Sequence, residues 1–165
     1  MNHLTLFIAT LGPVGRNLPA PGTMGSLAGT LVFLLLVQGF GWHPHSIALA
    51  SVPLFLLGVP VCRRAEILLD REDPKEVIWD EFIVIPMIYL PVSEKISGGL
   101  SKELIIWMIA GFCLFRLFDI SKPSLIHHSQ RLPGGWGVMM DDLLAALSAS
   151  LVLFLAQTFS LSLGG

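Results

Sequence analysis

Long stretches without charged residues alternate with short polar segments along the chain, and this alternation predicts its elements. Residues 17–62 contain no Asp, Glu, Lys or Arg. Hydrocarbon excludes charge and a spanning helix needs about 20 apolar residues, so this stretch predicts membrane helices. Turn formers and amphipathic rings interrupt it at 41–45. We therefore predict a helical hairpin, with helices at about 26–40 and 46–62.

The next stretch is less regular. A charged segment occupies residues 63–74, and a third helix is predicted from about Glu76. Its uncharged part, 82–93, is too short to cross a bilayer alone at about 1.5 Å per residue. It also contains Pro86 and Pro91, which kink helices. This segment must therefore recruit the residues before it or stay only partly embedded.

Two more apolar stretches complete the pattern. A polar loop at 93–99 precedes a fourth helix, whose first part is the apolar stretch 104–115. A loop rich in Pro and Gly at 122–137 precedes a fifth helix at about 138–159. The fold class predicted is all-α, a multi-helical integral membrane bundle of about four to five apolar helices, some short or re-entrant. A chain of 165 residues is expected to form a single domain, 1–165.

Composition and charge narrow the class of partner. The chain is 53% hydrophobic and 13% charged, against about 25% charged residues in an ordinary soluble domain. The net charge of -2 and the scattered basic residues argue against a nucleic-acid partner. The expected partners are the membrane and a lipid, and the sequence leaves the oligomeric state open.

The basic residues predict the orientation in the membrane. Cytoplasmic loops carry an excess of Lys and Arg. In the predicted topology only Lys95 and Lys102 fall on one side, and the other basic residues fall on the opposite side. Those are Arg16, Arg63, Arg64, Arg71, Lys75, Arg116, Lys122 and Arg131. We expect this second side to face the cytoplasm.

Four segments at that side carry polar residues that a plain membrane helix would lack. The first contains Gly22, Thr23, Gly25 and Ser26, a glycine-containing turn before an apolar helix. Free backbone N–H groups at such a helix start can bind an anion. The alternative is an ordinary helix cap formed by Thr23 or Ser26.

Two of the other segments contain adjacent acidic residues. Asp80 and Glu81 stand directly before an apolar run, and Asp141 and Asp142 enter the first turns of the last apolar helix. Carboxylates against a membrane helix are costly unless they are paired or bind a cation. The alternatives are a solvated pair at the interface for the first two, and a favourable interaction with the helix dipole for the last two.

The remaining segment combines both signs of charge. Asp119 and Lys122 are three residues apart and share a helix face if the helix continues that far, so a simple salt bridge is one interpretation. Arg116, Lys122 and, in the next loop, Arg131 are also cations of the kind that bind phosphate.

Together these residue types indicate phosphoryl-transfer chemistry. An oxygen-only ligand set fits Mg²⁺, with Mn²⁺ as the alternative, rather than zinc or copper. A divalent ion beside phosphate-binding cations can polarise phosphoryl oxygens and activate water. A covalent route through one aspartate is also open.

The four segments, in this order, resemble the phosphatidylglycerophosphatase A family. The matching stretches are 21–26, 73–74 with 77–81, 115–123 and 134–142. The resemblance implies a helical fold and Mg²⁺-dependent removal of the terminal phosphate from phosphatidylglycerol phosphate. It also implies a role in bacterial phospholipid biosynthesis at the inner membrane. The chain has Val84 where the family usually has a glycine, which bears on lipid preference.

The resulting hypothesis assigns a role to each candidate residue. Asp80, Glu81, Asp141 and Asp142 hold Mg²⁺, and Asp119 is a further ligand or the base that orients water. Phosphate is bound by Lys122, Arg116 or Arg131, and the turn of Gly22, Thr23, Gly25 and Ser26. Two alternatives use the same acids, namely a phosphatase for another lipid phosphate and a non-enzymatic membrane carrier or scaffold.

Overall fold

The structure of the protein, a computed structural model, describes residues 2–130 and 132–163, and within them it contains helices and no strand. The α-helices are α1 (Asn2–Ala9), α2 (Val14–Asn17), α3 (Pro21–Leu34), α4 (Pro44–Leu69), α5 (Trp79–Ile83), α6 (Ile85–Ile88), α7 (Ser93–Ser97), α8 (Lys102–Ser121), α9 (Ser124–Ser129) and α10 (Trp136–Leu163). The predicted all-α class is confirmed.

Four helices are long and apolar enough to cross a membrane. They are α3 with the π-helical turn that follows it (Pro21–Gly39), α4 (Pro44–Leu69), α8 (Lys102–Ser121) and most of α10 (Trp136–Ser160). Exposed leucine, isoleucine and phenylalanine side chains cover their outer faces, for example Leu49 on α4 and Ile106 on α8. Such surfaces suit lipid, so the protein is a membrane protein with four candidate spans.

The helices extend further than the apolar pattern predicts. The second helix was expected to end near Cys62, but α4 continues through Arg63 and Glu66 to Leu69. Arg and Glu are good helix formers, so charge alone does not end a helix that has left the bilayer. The helix ends at Asp70, which has a left-handed conformation with φ 51°.

The third predicted helix is instead a series of short turns. The broken segment, as we call residues 79–97, consists of α5, α6, a 3₁₀ turn (Leu90–Val92) and α7. A helix from Glu76 was therefore the wrong prediction. Pro86 and Pro91 each lie in the first turn of a new helix, where the missing N–H does no harm.

The broken segment runs along the whole length of α3. Its first residues pack against Gly25, and Ile85 packs against Gly29 one turn further on. At its other end the backbone oxygen of Ile96 accepts a hydrogen bond from Gln38. The segment therefore passes from one end of the bundle to the other, inside the bundle.

The long helix α10 forms the centre of the bundle. Its alanines at 145, 146 and 149 are completely buried, and small side chains let neighbouring helices approach closely. It contacts α4, α6, α8 and α9. We call the end of the bundle that contains the start of α3 and α10 the site end, because the candidate residues collect there.

Besides α2, two short helices at the site end were not predicted. The first, α1, packs against α4, and the backbone oxygen of Ala9 accepts a hydrogen bond from the N–H of Ile78 (2.9 Å). The second, α9, lies in the Pro- and Gly-rich loop and packs against α10. Both are too short for a periodic pattern to be distinguished from a loop.

Candidate active site

A cavity of about 270 Å³ opens at the site end between α3, α5, α8 and α10. Its lining includes the acidic residues Asp80, Glu81, Asp119, Asp141 and Asp142, the cations Arg116 and Lys122, and Gly22 and Thr23 at the start of α3. Four segments that are far apart in sequence thus meet at one place. This agrees with the prediction that all four lie on the same side of the membrane.

The short helix α5 positions the first acidic pair. Two hydrogen bonds hold the start of this helix in place. The indole N–H of Trp79 donates to the backbone oxygen of Leu54 on α4 (3.3 Å), and the backbone N–H of Ile78, just before α5, donates to the backbone oxygen of Ala9. The carboxylate of Asp80 accepts from the N–H of Glu81 (3.0 Å) and is 4% exposed as a residue. Asp80 is therefore held in place and is almost completely buried in the cavity wall.

Arg116 connects three helices through one nitrogen. Its Nη1 lies 3.0 Å from Glu81 Oε1 on α5 and 2.7 Å from Asp119 Oδ2 one turn along α8. The same nitrogen donates to Ser26 Oγ on α3 (3.3 Å). All three charged side chains are at most 15% exposed. Arg116 therefore offsets part of the charge of two buried carboxylates and fixes their positions.

Glycines on α3 make room for Glu81. A Cβ atom added at Gly22 would overlap Oε1 of Glu81, and one added at Gly25 would lie 3.0 Å from Oε2. These positions were predicted to form a phosphate-binding turn. In the structure they belong to α3 itself, and Ser26 donates to the backbone oxygen of Gly22 (2.8 Å). The role that the structure shows for these glycines is to let α3 pack closely against Glu81.

Lys122 pairs with the last helix. The residue adopts a left-handed conformation (φ 40°) at the end of α8, where Pro123 prevents the helix from continuing. Its Nζ lies 2.7 Å from Asp141 Oδ2, which also accepts from Gln130 Nε2 (3.0 Å). Asp73 approaches the same ammonium at 4.0 Å. A salt bridge between Lys122 and Asp119 was one interpretation of the sequence, and in the structure Lys122 pairs with Asp141 instead.

Asp80 and Asp142, in contrast, have no basic partner among the described residues. They are 4% and 3% exposed, and neither forms an ion pair with any of the described residues. The cations at the cavity wall are directed at Glu81, Asp119 and Asp141 instead. Within residues 2–130 and 132–163, these two deeply buried carboxylates thus share a cavity with no basic partner of their own.

The electrostatics of the cavity reflect this excess of negative charge. Burial raises the pKa of Asp80 well above its usual range, and the charge of Glu81 raises it further. Burial also raises the pKa of Glu81, to about 7, although Arg116 opposes the shift. Burial lowers the pKa of Lys122, but the hydrogen bond to Asp141 and the negative charges around the ammonium together outweigh this, and the net shift is upward. Additional positive charge in the cavity would stabilise the ionised carboxylates and lower their pKa values.

The oxygen donors of this cavity are of the type that binds a divalent cation, but those of the described residues are not grouped closely enough to form a metal site in this structure. The oxygens are those that Mg²⁺ prefers. Among residues 2–130 and 132–163, however, no three Asp, Glu, His or Cys side chains are grouped so that they could hold a metal ion. The assignment of Asp80, Glu81, Asp141 and Asp142 as metal ligands therefore stays a prediction.

Some functional residues were missed by sequence reasoning. Asp73 and Lys75 line the cavity, and Gln130 holds Asp141. Asp73 lies in one of the stretches that resemble the family, which was the available signal, whereas nothing in the sequence distinguished Gln130. Arg131, predicted to bind phosphate, lies outside the described residues.

The fold and the site place the protein in the class of polytopic membrane proteins that have a carboxylate-lined cavity at one end of the helical bundle. The chain belongs to the phosphatidylglycerophosphatase A family, which matches it over residues 7–157. It is thus an enzyme of the phosphatase type.

Individual relatives agree with this assignment. The chain is 38% identical to phosphatidylglycerophosphatase A of Haemophilus influenzae over 144 residues, which cover 87% of this chain and 82% of the relative. It is 31% identical to phosphatidylglycerophosphatase A of Escherichia coli over 147 residues (87% and 78%). A Bacteroides thetaiotaomicron protein named "Putative phosphatidylinositol-3-phosphatase" is 32% identical over 164 residues (94% and 95%). No solved structure matches the chain significantly.

Proposed function

We propose that the protein hydrolyses the terminal phosphate of phosphatidylglycerol phosphate in a Mg²⁺-dependent reaction of bacterial phospholipid biosynthesis. The observation that carries this proposal is the cavity itself, in which buried acids and three basic residues meet at the site end of a family member. The named activity of two relatives supports the choice of lipid.

The proposed metal site centres on Asp80 and Asp142. These two carboxylates form no ion pair with a basic residue in the part of the chain that the structure describes, and Glu81 and Asp141 beside them would complete an oxygen ligand set. When bound, Mg²⁺ would neutralise phosphoryl oxygens and lower the pKa of a coordinated water. The buried excess of negative charge is what supports a cation here.

The proposed phosphate site lies between Lys122 and the start of α3. Gly22 and Thr23 line the cavity at the first turn of this helix, where backbone N–H groups lack intrahelical partners and suit an anion. Lys122 also lines the cavity and, although its ammonium pairs with Asp141, it would supply positive charge to the phosphate. Arg116 is engaged with Glu81 and Asp119, so its contribution would be to hold these acids rather than to grip phosphate.

Asp119 is proposed to orient the attacking water. One of its oxygens is fixed by Arg116 at 2.7 Å, so its position in the cavity wall is defined. In the reaction, water adds to phosphorus and the bond to the lipid oxygen breaks. The lipid alcohol takes up a proton and inorganic phosphate leaves.

We infer that the active site faces the cytoplasm at the inner membrane. The site end holds the basic residues Arg63, Arg64, Arg71, Lys75, Arg116 and Lys122, and Lys95 and Lys102 lie near the other end. This distribution supports a cytoplasmic site end under the positive-inside rule.

The decisive assay measures inorganic phosphate released from phosphatidylglycerol phosphate by the purified protein in detergent, with Mg²⁺ and with EDTA. Asp80→Asn and Asp142→Asn should nearly abolish release because each removes a carboxylate that the cation needs. Asp70→Asn is the matched control, since Asp70 is exposed and Asn tolerates its left-handed conformation. Near-normal turnover of both site variants would exclude this assignment.

Metal binding has a readout that does not need turnover. Mg²⁺ should raise the unfolding temperature of the wild-type protein because a ligand that binds only the folded state stabilises it. The Asp142→Asn variant should lose this shift, whereas Asp70→Asn should keep it. A shift of equal size in all three proteins would contradict the proposed ligands.

A second candidate substrate is phosphatidylinositol 3-phosphate. The Bacteroides relative that is named as a phosphatidylinositol-3-phosphatase aligns with this chain over nearly its whole length. The same phosphate-release assay should therefore include this lipid and phosphatidic acid. We expect the highest kcat/KM with phosphatidylglycerol phosphate, and a higher value with either other lipid would replace it as the substrate.

A further inference from the structure

A second cavity, apolar and of about 200 Å³, lies between α3, α4 and the broken segment. Its walls include Gly29 of α3, Leu36 of the π-helical turn after it, Leu54 of α4 and Phe82 of α5, and none of the described residues that line it is charged. The hydroxyl of Ser51 in the wall donates to the backbone oxygen of Ala48 (2.7 Å). Such a cavity offers nothing to water or to a polar ligand and favours hydrocarbon.

This apolar groove lies directly below the phosphate cavity along α3. Gly22 lines the upper cavity and Gly29 the lower one, and Leu36 follows after another seven residues. Residues seven apart lie on the same helix face, about 10 Å apart along the axis. The two cavities are therefore stacked on one side of α3, with the polar one at the site end.

The groove is accessible from the lipid side. Val32 and Leu54 line it and are 42% and 40% exposed, and Trp42 lines it near the hairpin between α3 and α4. These residues belong to two candidate membrane spans or to the turn that joins them. A hydrocarbon chain could thus enter sideways from the bilayer without crossing water.

We propose that the groove binds an acyl chain of the phosphate lipid while its headgroup occupies the acidic cavity. This inference rests on the proposed function, because it requires a lipid substrate. The offset of about 10 Å along α3 leaves room for the glycerol units between the terminal phosphate and the chain. Phe82 in the groove follows Glu81 in the cavity directly, so one short helix would contact both parts of the substrate.

Filling the groove tests the proposal by chain-length preference. Val32→Phe and Ala50→Phe enlarge side chains on its two walls. Leu49→Phe is the matched control, since Leu49 precedes Ala50 but is 74% exposed and does not line the groove. The quantity measured is the ratio of kcat/KM for dioleoyl to that for dihexanoyl phosphatidylglycerol phosphate.

The groove variants should lower this ratio about tenfold, which is the effect of losing roughly two buried methylene groups. Turnover of the dihexanoyl lipid should change little, because it depends on the headgroup cavity. An unchanged ratio in both variants, with phosphate still released, would overturn the groove and leave the proposed function intact. Absence of phosphate release from either lipid by the wild-type protein would instead overturn the proposed function.

Crosslinking of the wild-type protein supplies a test that no folding defect can obscure. A phosphatidylglycerol phosphate that carries a diazirine on one acyl chain should label groove residues such as Val32 and Leu54, and unlabelled substrate should compete. Labelling by an equivalent phosphatidylcholine that the substrate fails to displace would identify bulk lipid in the groove and refute the proposal.

Discussion

Gly22 shows how one missing side chain can matter to a charged site. A Cβ atom at this position would overlap the carboxylate of Glu81, which is itself tied to Arg116. Gly22→Ala should therefore displace Glu81 and lower phosphate release by about tenfold or more. The fold should persist, because a side-chain end can move. Gly98→Ala is the control, since the nearest atom to its added Cβ would be 3.8 Å away.

Arg116 should be the residue on which stability depends most. Its loss would leave Glu81 and Asp119 buried without a partner, and breaking a buried pair in this way costs about 3–5 kcal/mol. Arg116→Gln should therefore lower the free energy of unfolding in detergent by several kcal/mol. The double variant Arg116→Gln with Glu81→Gln should be less destabilised than the sum of the two single variants. Simple additivity would show that the pair does not act as a unit.

Residue types were predictable from the sequence, whereas partners were not. Acidic residues such as Asp80 and Asp142 were recognisable because carboxylates are expensive next to hydrocarbon. The pairing of Lys122 with Asp141 rather than Asp119 depends on how α8 ends and how α10 approaches it, which no local pattern encodes. The same limit applies to Gln130.

Among the elements, the broken segment is fixed by side chains rather than by regular helix. Tyr89 is completely buried, its ring stacks on Phe33 of α3 (5.3 Å between centroids), and its hydroxyl donates to the backbone oxygen of Met108 on α8 (2.8 Å). Tyr89→Phe removes only the hydroxyl, and with it this hydrogen bond, and should lower the free energy of unfolding by about 1 kcal/mol.

Activity of the Tyr89→Phe variant should stay close to that of the wild type, because the residue is outside the acidic cavity. Tyr89→Ala should cost about 3–5 kcal/mol, since it also leaves a cavity. Chemical unfolding and phosphate release of the two variants would measure both effects. Equal stability of Tyr89→Phe and wild type would indicate that the hydroxyl bond contributes nothing net.

Long apolar helices were predictable as elements, and irregular ones were not. The hairpin of α3 and α4 follows from a run of residues without charge, which only a membrane helix tolerates. The broken segment is shielded by α3, α4 and α10, so its backbone can be irregular without meeting lipid. A sequence pattern reports apolarity but not this shielding.

At the scale of the whole molecule, the two ends of the bundle carry different charge, and this predicts the topology. Asp70 marks the site end and Leu100, 83% exposed, marks the opposite end. Single cysteines would be introduced as Asp70→Cys and Leu100→Cys after replacement of Cys62 and Cys113 by Ala. Both positions are outside the acidic cavity, so phosphate release can serve as a check of folding.

A membrane-impermeant maleimide added to intact cells should label the Leu100→Cys protein and leave Asp70→Cys unlabelled, and inverted membrane vesicles should give the reverse pattern. The physical reason is the excess of Lys and Arg around the site end, which the membrane potential and anionic lipids retain in the cytoplasm. Labelling of the Asp70→Cys protein in intact cells would place the acidic cavity outside the cytoplasm. In that case the lipid phosphate would have to cross the bilayer before hydrolysis.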